Sequence, residues 1–219
     1  MATMQQNSLQ LGAQAPDFIA ESTMGKISFH NWIDESWCIL FSHPKDFTPV
    51  CTTELGAAAK LSSEFKKRGV KIIALSVGSL ASHNEWIPDI NQTQKTEVNF
   101  PIIADENHQV AELYGMIHPK ASETSTVRTV FIIDSKKTIR LLMAYPASTG
   151  RNFDEILRTV DSLQLTDNYK LATPANWKQG GDCVILPSVV GQELEERFPK
   201  RREEKPYLRW TADPTKHSK

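Results

Sequence analysis

The chain carries three cysteines, Cys38, Cys51 and Cys183, and their settings differ. Sulfur is a strong nucleophile only as the thiolate. Cys51 opens a stretch in which Leu55, Ala58, Leu61 and Phe65 recur at three- and four-residue spacing, the pattern of one helical face. That predicts a helix over 51–68, ended by Gly69 after the basic turn Lys66, Lys67, Arg68. At its N-terminus, unpaired N–H groups and the helix dipole favour an anion, here the thiolate. Thr48 lies three residues upstream, with a hydroxyl suited to bond the sulfur or its substrate. Position alone leaves two readings of Cys51 open: a nucleophile, or a small buried apolar group. Cys38 sits within the apolar run Trp37-Cys38-Ile39-Leu40-Phe41 and is expected in the core. No two cysteines have C-x-x-C spacing, and no Cys/His cluster has the spacing of a zinc site. Neither a metal nor an organic cofactor is expected.

The elements that must position Cys51 follow from periodicity. Residues 37–43 read as a buried strand, and 44–49 as a loop held by Pro44 and Pro49. Residues 70–77 form a second buried strand, 80–90 a helix, 101–105 a short strand and 107–114 a helix. Residues 126–134 and 138–145 read as a hairpin across Ser135-Lys136-Lys137. A helix over 152–165 follows, with Asn152 as its cap and Phe153, Ile156, Leu157, Val160 and Leu163 on one side. This order predicts an α/β domain with a mixed central sheet flanked by helices. After about residue 169, Pro174, Pro187, Pro199, Pro206 and Pro214 punctuate the chain, and helical pattern survives mainly over 190–198. The tail is expected to lack a core of its own and to wrap the first domain or reach a partner subunit.

Composition excludes other classes. The 219 residues are 40% hydrophobic and 23% charged, as in globular proteins. Lys+Arg total 25 and Asp+Glu 26, so no basic balance points to nucleic acid or to an anionic membrane. No apolar run approaches the roughly 18 residues that a membrane span requires. Residues 1–8 have neither a basic start nor an apolar stretch, unlike a secretory signal. Three cysteines, an odd number, suit a reducing compartment. The expected location is cytoplasmic.

One motif separates the readings of Cys51. Pro44-Lys45-Asp46-Phe47-Thr48-Pro49-Val50-Cys51 has the form P-x-x-x-T-x-x-C and resembles the peroxidatic loop of the peroxiredoxins. The run from Phe41 to Leu55, the run from Tyr145 to Arg158, and Ala172-Thr173-Pro174-Ala175-Asn176-Trp177 and Tyr207-Leu208-Arg209 resemble the 1-Cys branch. The resemblance implies a thioredoxin-like fold over residues 1–168 and a C-terminal dimerisation arm over 169–219, in a homodimer whose arm packs on the partner. It implies that Cys51 attacks hydrogen peroxide or an organic hydroperoxide and becomes a sulfenic acid. Thr48 would orient the peroxide and Pro44 would shield the sulfur from water. Arg128 would stand beside the thiolate, favouring it and stabilising charge on the leaving oxygen. Glu54 would hold that arginine, Arg151 would be a second arginine near the pocket, and His43 would precede the motif proline. The resolving cysteine of the two-cysteine branch is replaced by Thr173, and Cys183 does not match it, so an external thiol or other small reductant is expected.

Other functions leave different marks. Some members of this branch are credited with lipid hydrolysis by a serine, a histidine and an aspartate. The matching positions include Ser36 and His30, but Asp34-Glu35-Ser36-Trp37-Cys38 lacks the glycines of a G-x-S-x-G elbow. The third position falls on Lys136, with Asp134 nearby. A non-enzymatic redox sensor or chaperone-like assembly would also use an accessible cysteine. A thioredoxin-like exchanger needs a second cysteine, which Cys51-Thr52-Thr53-Glu54 lacks.

Overall fold

A computed structural model describes residues 9–217. Residues 1–8, compared with a secretory signal on sequence alone, lie outside the described residues. In chain order the elements are β1 (Ile19–Ala20), β2 (Ile27–Ser28), α1 (Phe29–Ile33), β3 (Trp37–Ser42), α2 (Pro49–Lys60), α3 (Ser62–Lys67) and β4 (Val70–Ser76). Next come α4 (Leu80–Gln94), β5 (Ile102–Ala104), α5 (Gln109–Leu113), β6 (Arg128–Ile133), β7 (Ile139–Tyr145) and α6 (Phe153–Asn168). The remainder is β8 (Leu171–Ala172), β9 (Cys183–Ile185), α7 (Gly191–Arg197), β10 (Arg202–Lys205), β11 (Leu208–Thr211) and a 3-10 turn, Pro214–His217. Among the described residues, no helix is long and apolar enough to cross a membrane.

Two compact units divide the chain, residues 1–153 and 154–219. The first is built on a five-stranded sheet of order β5-β4-β3-β6-β7. The β3–β4 and β4–β5 pairs are parallel; β3–β6 and β6–β7 are antiparallel. This is the mixed sheet expected from the element order. Central β3 is apolar from Trp37 to Phe41, as strands covered on both faces are. Ile39, Leu40 and Phe41 are buried, each worth roughly 1.5–3 kcal/mol in removed apolar surface.

Register brings the chemistry to one end of this sheet. Phe41 on β3 lies opposite Val130 on β6. The antiparallel start of β6 therefore stands beside the end of β3, from which the Pro44-to-Pro49 loop leaves. The Ser42 hydroxyl fixes that junction, donating to Val127 O at 2.6 Å and accepting from Thr129 N at 3.1 Å.

The expected helix over 51–68 is two helices, α2 and α3, hinged at Leu61 (φ −93°, ψ 1°). Leu55, Ala58 and Phe65 stay buried across the break, so the apolar stripe persists although the helix does not. Helix α2 also starts earlier than expected, at Pro49, a residue whose fixed φ and missing N–H suit a first helical position. Gly56 lets α2 approach α4: a Cβ there would meet Gln94 Cγ at 2.4 Å.

The second unit overturns the expectation that the tail lacks a core. Leu165, Leu171, Trp177, Cys183, Ile185, Val189 and Leu194 form a buried cluster. A four-stranded sheet of order β10-β11-β9-β8 backs it. Buried Arg209 donates to Val189 O at 2.8 Å and Leu186 O at 2.9 Å, pinning the turn before α7. The unit takes in α6 from Asp154 on, where the sequence reading put the boundary after residue 168, and Leu165 of α6 belongs to this cluster.

Candidate active site

Cys51 is the third residue of α2 and is fully buried. Thr48 is the N-cap in extended backbone (φ −119°, ψ 146°), which turns the chain from loop to helix. Its hydroxyl neither caps the helix nor meets the sulfur; it donates to Lys45 O at 2.8 Å within the loop. Phe47 stands 55% exposed at φ 53°, the left-handed region that side chains other than glycine avoid. Pro44 is half-buried ahead of it.

The sulfur's neighbour is the arginine that the motif pointed to. Arg128 Nη1 donates to Cys51 Sγ at 3.3 Å and to Glu54 Oε2 at 2.7 Å. Its Nε and Nη2 donate to Ala147 O at 3.1 and 2.6 Å. The guanidinium is thus held on one side by a carboxylate one helical turn from Cys51 and on the other by a backbone carbonyl.

Arg151 completes the cluster. Its Nε and backbone N donate to Glu54 Oε1, each at 2.8 Å, and its Nη2 to Glu54 Oε2 at 2.6 Å. Nη1 donates to Ser42 O at 2.8 Å and Thr129 O at 3.1 Å. Its guanidinium carbon lies 4.9 Å from the Phe41 ring centroid and 5.8 Å from that of Phe153, a cation–π arrangement. Burial pulls the Arg151 pKa down and Glu54 opposes that pull. Arginine stays charged in proteins all the same. Glu54, Arg128 and Arg151 are all buried, and buried charges persist only when paired and hydrogen-bonded, as these are.

His43 is fully buried at the end of β3. Its Nε2 bonds Asp46 Oδ1 at 2.9 Å, and its Nδ1 has no partner. Burial lowers the His43 pKa, with Asp46 opposing. Asp46 also faces His83 Nδ1 at 2.6 Å and accepts from Ser82 Oγ at 2.7 Å. Burial works against its charge, but these hydrogen bonds outweigh it and hold the carboxyl below the usual carboxylate range. Among the described residues, His43, Asp46 and His83 are the grouping with metal-like spacing, their ligand atoms within 4.8 Å of one another. Those oxygens and nitrogens are already bonded to one another.

A cavity of about 600 Å³ opens on the loop, lined by Pro44, Lys45, Phe47, Thr48, Gly78 and Ser125 among others. A larger one, about 670 Å³, lies away from Cys51 between Trp32, Ser36, Lys66 and Phe100. It includes Ser36 but not His30. His30 Nε2 bonds Ala15 O at 2.8 Å, and Asp134 accepts from Lys136 N, Thr138 N and Arg140. Among the described residues, no hydrogen bond joins Ser36 to His30 or His30 to Asp134, so a hydrolytic triad is not assembled.

The structure therefore gathers Cys51, Arg128, Glu54 and Arg151 into one contact network and puts Thr48, Pro44 and His43 on the adjoining loop. Sequence reasoning missed Ala147, Ser82 and His83 and gave Asp46 no role. Ala147 acts through its main chain, which has no side-chain signature. Asp46 lay inside the quoted motif, but its partners are 36 and 37 residues downstream.

The chain matches two family models: the AhpC/TSA family over residues 11–142, and the C-terminal domain of 1-Cys peroxiredoxin over residues 162–199. It is 53% identical over 211 residues to a 1-Cys peroxiredoxin of Dictyostelium discoideum, covering 96% of this chain and 88% of that one. It is similar to the crystal structure of a cysteine-to-serine mutant of the peroxiredoxin 6 of Arenicola marina. That match has TM-score 0.91 and 47% identity over 94% of this chain and 99% of that one. A yeast mitochondrial 1-Cys peroxiredoxin structure matches with TM-score 0.88 and 48% identity, over 93% of this chain and 99% of that one.

Proposed function

The chain belongs to the AhpC/TSA family and, within it, to the 1-Cys peroxiredoxins, and on that premise we propose how its residues divide the work. It is a thiol-dependent peroxidase with a thioredoxin-like fold, and its oxidised sulfur is returned by an external reductant. Cys51 attacks as the thiolate. Its electron pair forms an S–O bond to one peroxide oxygen while the O–O bond breaks. The sulfur keeps the hydroxyl as sulfenic acid, and the other oxygen leaves as hydroxide or alkoxide, which takes a proton from solvent. Arg128 serves both states: it donates to the sulfur before attack and neutralises charge on the leaving oxygen. Glu54 and Ala147 O fix its aim, and Arg151 fixes Glu54. Thr48 and Pro44 form the wall past which the peroxide arrives.

The observation that carries this reading is the 3.3 Å contact between Arg128 Nη1 and Cys51 Sγ, made by a guanidinium that Glu54 and Ala147 already hold. One thiol then condenses with the sulfenic acid, releasing water and leaving a mixed disulfide, and a second thiol frees Cys51. The yeast mitochondrial relative resolves its thiol via glutathione/thioredoxin systems. For this chain an external thiol fits, because Thr173 stands at the resolving position and bonds Ser162 Oγ at 2.6 Å. Cys183 is buried in the second unit's own core.

A homodimer fits the same reading. Strand β7 is an outer strand of its sheet with Leu142 exposed, and Val190 and Tyr207 stand exposed on the arm. Sedimentation at micromolar concentration checks the dimer. Three unpaired cysteines suit a cytoplasmic setting. The central test is intact-mass analysis after one equivalent of peroxide with a sulfenic-acid trap. Wild type gains one trapped adduct and Cys51→Ser none; an adduct on Cys51→Ser sinks the assignment.

A further inference from the structure

The loop that carries Pro44 and Thr48 has its own anchor, which the chemistry above does not use. Asp46 points inward at 5% exposure, although its neighbours Lys45 and Phe47 are exposed. Besides His43, its carboxylate meets Ser82 Oγ and His83 Nδ1 in the first turn of α4. His83 is fully buried and braced from behind, its Nε2 3.2 Å from Ile103 O. The backbone is shaped for this approach: a Cβ on Gly78 would meet His83 Cε1 at 3.0 Å and Asp46 Oδ2 at 3.4 Å. Trp86, one turn further along α4, lies 5.2 Å from the His43 ring and donates to Thr52 Oγ1 at 3.3 Å.

The other loop side-chain hydrogen bond, from Thr48 to Lys45, stays inside the loop. Among the described residues, Asp46 is thus the loop side chain that hydrogen-bonds residues 44–48 to the rest of the unit, beside a ring contact of Phe47 with Trp86 at 6.2 Å. The loop also holds Phe47 at positive φ, a conformation that persists only where surrounding contacts impose it.

We propose that Ser82 and His83 are positioning residues of the peroxidase: by gripping Asp46 from α4, they hold the 44–48 loop in the closed arrangement that leaves Cys51 buried. This rests on Cys51 as the attacking sulfur. The two halves of the cycle make opposite demands on that grip. Peroxide is small and reacts fastest in a fixed pocket. A reductant thiol is larger and must reach a buried sulfenic acid, which requires the loop to yield. The strength of the grip therefore sets the ratio between the two steps.

Three variants of the full chain test this. His83→Asn keeps an N–H donor where Nδ1 stands, His83→Leu fills the space without donating, and Ser82→Ala removes one bond while leaving the fold's core untouched. Two rates are read per trappable Cys51: sulfenic acid formation by hydrogen peroxide, and its reduction by dithiothreitol. His83→Leu is expected to slow formation about ten-fold, as loss of a buried charge-assisted hydrogen bond does, without slowing reduction. His83→Asn should fall between wild type and His83→Leu, and Ser82→Ala should shift the ratio the same way by less. An unchanged ratio in Ser82→Ala and in whichever His83 variants fold overturns the proposal, as does an equal slowing of both steps. Failure of the Cys51 reading looks different: Cys51→Ser would then still consume peroxide.

Discussion

Cys38 and Cys51 lie in the same unit, and both are fully buried. Cys38 sits in β3 between Lys71 on β4 and Ile133 on β6 by register. Burial pushes its thiol far above the usual range, and the charges of Lys71 and Lys137 do not offset that. Cys51 has the same lack of exposure, but a guanidinium donates to its sulfur and a helix begins around it. What sets Cys51 apart is a cation fixed within hydrogen-bond distance of its sulfur.

The strongest test removes each sulfur in turn. Cys51→Ser should reduce peroxide turnover to the uncatalysed level. Cys38→Ala should keep turnover and cost about 1 kcal/mol of stability for the small cavity left. Coupled peroxide-consumption assays and denaturant melts read both, and loss of turnover in a folded Cys38→Ala protein breaks the contrast.

Next in size is the cation. Arg128→Lys keeps a charge but loses the planar fork shared among Cys51, Glu54 and Ala147, so the stopped-flow rate with peroxide should fall roughly 10²-fold. Glu54→Gln leaves two buried guanidiniums without their counter-charge and should destabilise the fold by roughly 3–5 kcal/mol. Normal rates in Arg128→Lys would mean that charge alone, without geometry, distinguishes the two sulfurs.

Titration sharpens the contrast further. Burial pushes the Cys183 thiol up to about 11, with Asp213 adding to the rise. Iodoacetamide at pH 8 should therefore leave Cys38 and Cys183 untouched, with Cys183 gaining label only as pH approaches 11. Peptide mapping checks this, and early labelling of Cys183 contradicts its buried setting.

The smallest effect concerns His43, which burial keeps neutral as it does Cys38. The unfolded chain protonates this ring below the ordinary 6.5, while the folded chain resists. Protons then bind the unfolded state in excess, so stability falls as pH drops below 6.5 toward the lower folded value. His43→Asn should flatten that part of the melting-temperature profile.

Much of this was legible in residue order. The apolar run ending at Ser42, the stripe Leu55, Ala58, Phe65 and the hairpin across Ser135-Lys136-Lys137 announced the sheet and its helix, because burial imposes period. The break at Leu61 was not legible: an apolar residue on the stripe carries no breaker signal. The second unit's sheet was also hidden. Its strands are two to four residues long, and Arg202–Lys205 is exposed at every position, so no alternation exists to read. At the site, Cys51, Arg128, Glu54 and Arg151 were reached through a motif. The grip of α4 on Asp46 depends on how the chain folds back, and no spacing encodes it.

The single carboxylate shared by two guanidiniums has a consequence for the second half of the cycle. Counted formally, Glu54, Arg128, Arg151 and a Cys51 thiolate are neutral together. Oxygen transfer turns the sulfur into an uncharged group, so the same buried cluster then carries one unbalanced positive charge in surroundings that screen it poorly. An oxidised pocket of this kind draws anions inward. Reductants that arrive already ionised have the advantage, and regeneration should quicken with alkalinity in step with the donor's own ionisation.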